Sequence, residues 1–311
     1  MNALSNFLED TAWKGAVLKP VAGDASMRKY FRVRKDGKTA ILMDASRVRV
    51  TVAPFVQIGE QLNQLGLSAP RIFAGDIENG FLLLEDFGDE TFSQLLENDF
   101  DSETLFTLAT NVLIALHKKP SAAPEDLHAY HPQKMLDDLE LFLDTHEVPE
   151  NGKAEFRKVW LEALLLAHQV PASLLLRDYH VANLMLLRER EGIRRAGLLD
   201  FQDAYRGPVT YDLVSLLEDA RRDLPPGLKE KMIAHYYDQF PNLDRNDFET
   251  STAILAALRH TRVLAVFEKL SRDGKPDYKK LHSARVERLL QEALEHPKLA
   301  AVKNWFAKYA R

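Results

Sequence analysis

The chain contains no cysteine. That excludes disulfides, thiolate metal sites and a cysteine nucleophile, and it is compatible with a reducing compartment. No run of 18 or more apolar residues occurs, so no segment reads as a transmembrane helix. The first ten residues, Met1-Asn2-Ala3-Leu4-Ser5-Asn6-Phe7-Leu8-Glu9-Asp10, lack the basic start and apolar stretch of a secretory signal. The expectation is a cytoplasmic protein with no membrane partner. Internal repeats and low-complexity segments are also missing. His117, His128, His131 and His146 show neither His-x-x-x-His nor Glu-x-x-His spacing, which argues against a zinc site.

What is present is ordinary globular material: 311 residues, 46% hydrophobic and 28% charged. This length allows two domains, or one domain with two lobes. A net charge of −5 gives no general reason to expect a nucleic-acid partner.

The first 90 residues read mostly as strand. Lys29-Tyr30-Phe31-Arg32-Val33 and Thr39-Ala40-Ile41-Leu42-Met43 flank Asp36-Gly37, a hairpin signal. Arg71-Ile72-Phe73-Ala74 and Phe81-Leu82-Leu83-Leu84 flank Asn79-Gly80, which predicts a second hairpin with a type I′ turn. Between them, Phe55, Ile58, Leu62 and Leu65 form one apolar face of a helix over 52–65. Beyond Gly88 helical periodicity takes over, at 102–117, 133–146, 153–168, 213–220, 229–240, 248–270 and from about 279 onwards. The predicted fold class is α+β: a small antiparallel β lobe with one helix (residues 1–87), then a larger, mostly helical lobe (88–311).

One strand-like island, 174–203, interrupts the helical part. Leu174-Leu175-Leu176 leads into Arg177-Asp178-Tyr179-His180-Val181-Ala182-Asn183 and then Leu184-Met185-Leu186-Leu187. Further on, Gly197-Leu198-Leu199 ends in Asp200-Phe201-Gln202-Asp203. An Asp after an apolar strand is, taken singly, a common turn former or helix cap. Asp178, Asn183 five residues on, and Asp200 after a Leu-Leu strand form a more specific pattern. Such oxygens suit a hard divalent cation that also binds substrate phosphates.

The pattern resembles the catalytic and metal-binding loops of the protein-kinase-like fold, His-Arg-Asp-x-x-x-x-Asn and Asp-Phe-Gly. Here Leu176-Arg177-Asp178-x-x-x-x-Asn183 and Asp200-Phe201-Gln202 stand in those places. Gly207-Pro208-Val209-Thr210-Tyr211-Asp212-Leu213 follows closely, without a long activation segment or Ala-Pro-Glu. The match is closest to the aminoglycoside phosphotransferase and choline kinase branch. Within it, several segments look like the bacterial anomeric N-acetylmuramate/N-acetylglucosamine kinases: Gly23-Asp24-Ala25-Ser26-Met27-Arg28, Leu42-Met43-Asp44-Ala45, Gly80-Phe81-Leu82-Leu83-Leu84-Glu85-Asp86 and Arg272-Asp273-Gly274-Lys275-Pro276.

The resemblance implies an ATP- and magnesium-dependent kinase of a small-molecule hydroxyl, with an anomeric amino-sugar hydroxyl in cell-wall recycling as its acceptor. Asp178 would take or orient the hydroxyl proton, and Asn183 and Asp200 would hold Mg2+. Gly23, Ser26, Arg28 and Glu85 would serve the nucleotide, Asp203 would stand as an outer-shell ligand or a turn carboxylate, and Asp212 would support the catalytic loop. Two departures stand out. Leu176 replaces the family's histidine, and Met43-Asp44 occupies the neighbourhood of the strand-three lysine. Arg28 or Lys29 is then the expected substitute cation, on opposite faces of one strand. Glu60, with no lysine partner, reads as a surface residue.

From residue 255 to the end there are 13 Lys/Arg against 6 Asp/Glu. Arg259, His260, Arg262, Arg272 and Lys275 lie there. A basic region suits an anionic sugar acid better than a cationic aminoglycoside, although a solvated basic face accounts for most of these residues singly. Two alternatives stay open: a kinase of another small alcohol, such as choline or an aminoglycoside, and a catalytically weak nucleotide-binding scaffold. A metallohydrolase leaves the N-terminal hairpins unexplained. The oligomeric state is not legible.

Overall fold

The computed structural model describes residues 3–21 and 27–310. In chain order its elements are α1 (Ala3–Glu9), β1 (Val17–Pro20), β2 (Lys29–Lys35), β3 (Lys38–Asp44), α2 (Val52–Gln64), β4 (Ile72–Asp76), β5 (Phe81–Glu85), α3 (Phe92–Glu97) and α4 (Ser102–His117). Then come α5 (Pro132–Thr145), α6 (Glu150–Ala167), β6 (Ala172–Leu175), β7 (Leu184–Leu186), β8 (Ala196–Leu198), β9 (Tyr205–Pro208), α7 (Thr210–Leu217) and α8 (Leu228–Tyr237). The chain closes with α9 (Arg245–Arg272), α10 (Asp277–Leu294) and α11 (Ala300–Tyr309). The α+β class expected from the sequence is the one observed.

Contacts group the chain into two compact units, 1–101 with 181–204, and 102–180 with 205–311. The boundary differs from a simple cut after residue 87 because the β7–β8 hairpin pairs with the N-terminal part. Ser68 accepts the Leu198 N–H (2.7 Å) and its hydroxyl donates to the Arg194 carbonyl (2.7 Å). Leu186 N–H donates to the Glu90 carbonyl (2.9 Å), and Arg188 forms a two-bond ion pair with Glu90.

In the first unit a five-stranded antiparallel sheet has the order β1-β2-β3-β5-β4. Strand alternation divides its faces. Val33, Ala40, Leu42, Phe81 and Leu83 pack with Leu4 and Leu8 of α1 in one buried cluster. Arg28, Tyr30 and Arg32 alternate with these, and Met43 lies opposite Tyr30 in register. The predicted helix appears as α2, burying Phe55, Ile58 and Leu62. Two further helices were not anticipated, α1 and α3; at seven and six residues they hold too few turns to show periodicity.

The two hairpins differ from one another. Asp36 (φ 49°) and Gly37 (φ 73°) form the expected two-residue turn with positive φ at both positions. Asn79-Gly80 does not form the expected type I′ turn. The β4–β5 connection is four residues long, and Asp76 caps it by accepting from the Asn79 backbone (3.1 Å) and side chain (2.8 Å). The carboxylate competes successfully for the turn N–H groups.

In the second unit, Phe142, Phe156, Trp160, Leu258 and Trp305 share one core built by α5, α6, α9 and α11. Trp305 donates its indole N–H to the Gly152 carbonyl (2.8 Å). β6 and β9 pair antiparallel, Leu175 opposite Tyr205.

Gly80 tests the turn assignment. Its φ is +85°, and a Cβ there would stand 2.9 Å from the Ala45 carbonyl carbon and the Ser46 nitrogen, which are backbone atoms that cannot swing away. Gly37 has a similar φ, with open space around the site of a Cβ. Gly37→Ala is expected to cost about 1–2 kcal/mol from the left-handed backbone alone, and Gly80→Ala clearly more. Urea unfolding of the two variants checks the order.

Candidate active site

The second unit carries Asp178. β6 delivers Leu174 and Leu175 to the core, and the chain then turns sharply. Leu176 is buried, and Arg177 adopts φ +72°, a left-handed backbone that side chains rarely take. The turn is held from outside. The Asp212 carboxylate, near the start of α7 and almost fully buried, accepts the Leu176 N–H (2.6 Å) and the Arg177 N–H (2.9 Å). Burial pushes Asp212 up to about 7, against the opposing pull of those two N–H groups and of Arg259.

The Arg177 side chain is pinned as well. Its guanidinium donates to Asp138 (2.6 Å) and lies 5.5 Å from the ring centres of both Tyr130 and Tyr205. Asp138 also accepts from the Tyr130 hydroxyl (2.7 Å) and Lys134 (2.5 Å). Just beyond, the Tyr179 hydroxyl donates to the Ala109 carbonyl (2.9 Å). Asp178 thus sits on a backbone whose preceding residue is restrained through both main chain and side chain. Asp212 has the loop-supporting place expected of it. Neighbouring His180 is held down to about 4, chiefly by burial.

The first unit carries Asn183, Asp200 and Arg28. Asn183 immediately precedes β7 and Asp200 follows β8 by two residues; Leu184 lies opposite Leu198 in the hairpin, and the Asn183 carbonyl accepts the Leu199 N–H (3.0 Å). Both metal candidates therefore leave the same end of one hairpin. Asp200 has φ +58°, the second strained residue of the island, and its side chain is 47% exposed. Gln202 bridges Asp200 (3.0 Å) and Asp203 (3.2 Å) through its amide N–H2, which places Asp203 as a partner in the turn. Phe201 is buried, stacked on Phe55 of α2 at 4.9 Å and set against Gly59.

Arg28 lies 3.7 Å from Asp200, with a side chain only 7% exposed, and donates to the Thr51 hydroxyl (3.3 Å). Lys29 is exposed. Burial raises the Tyr30 hydroxyl's pKa while Arg28 draws it down. Met43 is fully buried, and the Asp44 carboxylate accepts the Ser46 N–H (3.0 Å). The strand-three position thus belongs to the hydrophobic interior and its neighbour to a turn. Glu60 is exposed on α2.

Glu85 is placed differently from a freely presented nucleotide contact. Its carboxylate is ion-paired with Arg190 (2.7 Å) and Arg71 (3.2 Å). Burial alone would raise its pKa, but the hydrogen bonds from these two arginines bring it below the usual range. The sequence carried no signal for this, because Arg190 is 105 residues away. Gly23 and Ser26 lie outside the described residues.

The fit to a divalent cation rests on donor chemistry. An Asp carboxylate about half exposed, beside an Asn on the same hairpin, offers hard oxygens of the type magnesium takes together with substrate phosphates. Among the described residues no group of three or more His, Cys, Asp or Glu is placed to hold a metal ion. A site completed by phosphate oxygens and water does not require one.

Residues missed in the sequence are those that support others from afar: Asp138, Tyr130 and Tyr205 around Arg177, and Thr51 beside Arg28. None stands in a local motif; only the polar residues interrupting the apolar stripe of α5 hinted at Asp138.

Comparison with known proteins identifies the family and the fold. Residues 17–248 match the family model described as the phosphotransferase enzyme family. An N-acetylmuramate/N-acetylglucosamine kinase of Caulobacter vibrioides is 32% identical, over 99% of this chain and 96% of its own. Among solved structures, a choline/ethanolamine kinase family protein from Mesorhizobium loti superposes with a TM-score of 0.66 at 14% identity, covering 97% of each chain. The ADP-bound aminoglycoside phosphotransferase APH(2'')-Ib gives 0.64 at 15% identity, covering 94% of this chain and 99% of its own. The fold is the protein-kinase-like one, the island between β6 and α7 lies within the matched span, and the chain belongs to the phosphotransferase enzyme family.

Proposed function

We propose that this enzyme transfers the γ-phosphoryl group of ATP, with Mg2+, to the anomeric hydroxyl of N-acetylmuramate or N-acetylglucosamine, in the cytoplasmic recycling of cell-wall sugars. The observation that carries the reading is the 32% identity to a kinase of that name over almost the whole of both chains. Asp178 directly after the restrained Arg177, and Asn183 and Asp200 at one end of a hairpin, support it. A purely nucleotide-binding scaffold would have no use for a carboxylate at 178 held in this way.

In this reading the first unit serves the nucleotide and the second serves the acceptor. Asp178 accepts the proton of the attacking sugar hydroxyl as its oxygen bonds to the γ-phosphorus and the bond to the ADP oxygen breaks. Asn183 and Asp200 hold Mg2+, which when bound neutralises charge on the phosphates. Arg28 supplies the cation that Met43 does not. Gly23 and Ser26 cover the phosphates by backbone N–H groups. Glu85, committed to Arg71 and Arg190, contributes by fixing the end of β5.

A turnover screen with ATP over N-acetylmuramate, N-acetylglucosamine, choline and an aminoglycoside tests the reading. NMR of the product locates the phosphate, and an anomeric sugar phosphate is expected. Turnover with choline or the aminoglycoside alone would sink the assignment. In the same assay Asp178→Asn should lose about 10²–10⁴-fold in kcat with nucleotide binding retained.

Magnesium titrations separate the metal ligands. Asp200→Ala is expected to need more magnesium than Asn183→Ala, because it removes a charged ligand. Wild-type dependence in both variants would remove these residues from the metal site.

Arg28→Ala should raise the KM for ATP by about 10–150-fold, the loss of a charge-assisted contact, whereas Lys29→Ala should leave it near wild type. The reverse pattern in steady-state kinetics would reassign the cation.

A further inference from the structure

Five basic residues of the C-terminal part were candidates for recognising an acidic acceptor, and the structure distributes them unequally. His260 is paired with Glu218 (2.6 Å), which Lys229 also engages (2.6 Å). Arg272 donates to the Thr145 carbonyl (2.5 Å) and to Glu268 (3.3 Å). Lys275 is exposed in the turn after α9.

Arg259 and Arg262 remain. Arg259 is only 8% exposed and Arg262 is partly buried, yet neither makes a hydrogen bond or an ion pair with any described residue. They stand three residues apart on α9, hence on one face of it.

A guanidinium withdrawn from water without a hydrogen-bonded anionic partner is costly, and two of the nearby carboxylates are already engaged. Asp138 is held by Arg177, Lys134 and Tyr130, and Asp212 by two backbone N–H groups. α9 packs directly on α5 and α7, which carry those two residues. Arg262 acts electrostatically on Asp178 and Tyr211, and Arg259 acts on Asp212 and His180. The Tyr211 hydroxyl is itself buried and has no hydrogen-bond partner among the described residues. Two guanidinium groups without a hydrogen bond or ion pair among the described residues therefore lie near the proposed base, all within the second unit.

We propose that Arg259 and Arg262 form the anion-recognition part of the acceptor site and bind the carboxylate of a sugar acid, the lactyl carboxylate in the case of N-acetylmuramate. This deepens the sugar-kinase reading and rests on it. N-acetylglucosamine lacks that carboxylate, so the two sugars differ in the group the arginines would hold.

The experiment measures kcat and KM for both sugars with wild type, Arg262→Gln, Arg262→Lys and Arg259→Gln. In Arg262→Gln, kcat/KM for N-acetylmuramate is expected to fall about 10–150-fold more than for N-acetylglucosamine, mainly through KM. Arg262→Lys should recover part of the difference. Equal losses on both sugars mean that the arginines only support the loop, and overturn the proposal, as does no loss at all. If Arg259→Gln fails to fold, the less buried Arg262 carries the test. If wild type phosphorylates neither sugar, the sugar-kinase reading fails separately. Calorimetry of the two sugars against wild type and Arg262→Gln then decides: an arginine-dependent preference for the acid sustains the anion site, and its absence removes it.

Discussion

The Asp212 carboxylate is the constraint on which the loop bearing Asp178 depends. Arg177 must adopt a left-handed backbone for the chain to turn between β6 and Asp178, a conformation that costs about 1–3 kcal/mol for a side-chain-bearing residue. Two N–H bonds to one buried carboxylate offset that cost and satisfy the backbone donors of Leu176 and Arg177. The Arg177 side chain adds an ion pair with Asp138 and two aromatic faces. The result is a carboxylate, Asp178, presented by a loop with little freedom to relax. Such preorganisation is what phosphoryl transfer asks of a protein, since positioning and charge neutralisation outweigh covalent chemistry.

The first unit uses the same device with different parts. Asp200 also has a left-handed backbone. The next residue, Phe201, anchors it by stacking on Phe55, and Gln202 bridges Asp200 to Asp203. Gly59 matters here because a Cβ at that position would stand 3.3 Å from the Phe201 ring. The charge of Asp200 is met by Arg28, which immediately precedes β2 and has its side chain nearly buried.

These contacts account for the two departures from the family pattern. Leu176 in place of histidine is buried at the loop's start, and the support comes from Asp212 to its backbone, for which the side-chain type is immaterial. Met43 in place of lysine is fully buried in the sheet, and Arg28, just before β2, stands 3.7 Å from Asp200.

The sequence by itself determined the α+β class, most of the longer helices and the island with Asp178, Asn183 and Asp200. Each of these is encoded by residues close together in the chain: a 3.6-residue apolar period, an Asp-Gly turn, an Asp and Asn five apart. It also narrowed the substitute cation to Arg28 or Lys29, because strand alternation admits only one to a given face. Tertiary structure decided what depends on distant partners. It placed Arg28 3.7 Å from Asp200 with Lys29 exposed, and committed Glu85 to Arg190. It replaced the expected Asn79-Gly80 turn by one capped from Asp76, and it left Arg259 and Arg262 without a hydrogen bond or ion pair among the described residues while pairing His260. Hydrogen bonds and ion pairs act over about 3–4 Å in space and are indifferent to separation along the chain, so a local pattern names the candidates and the fold selects among them.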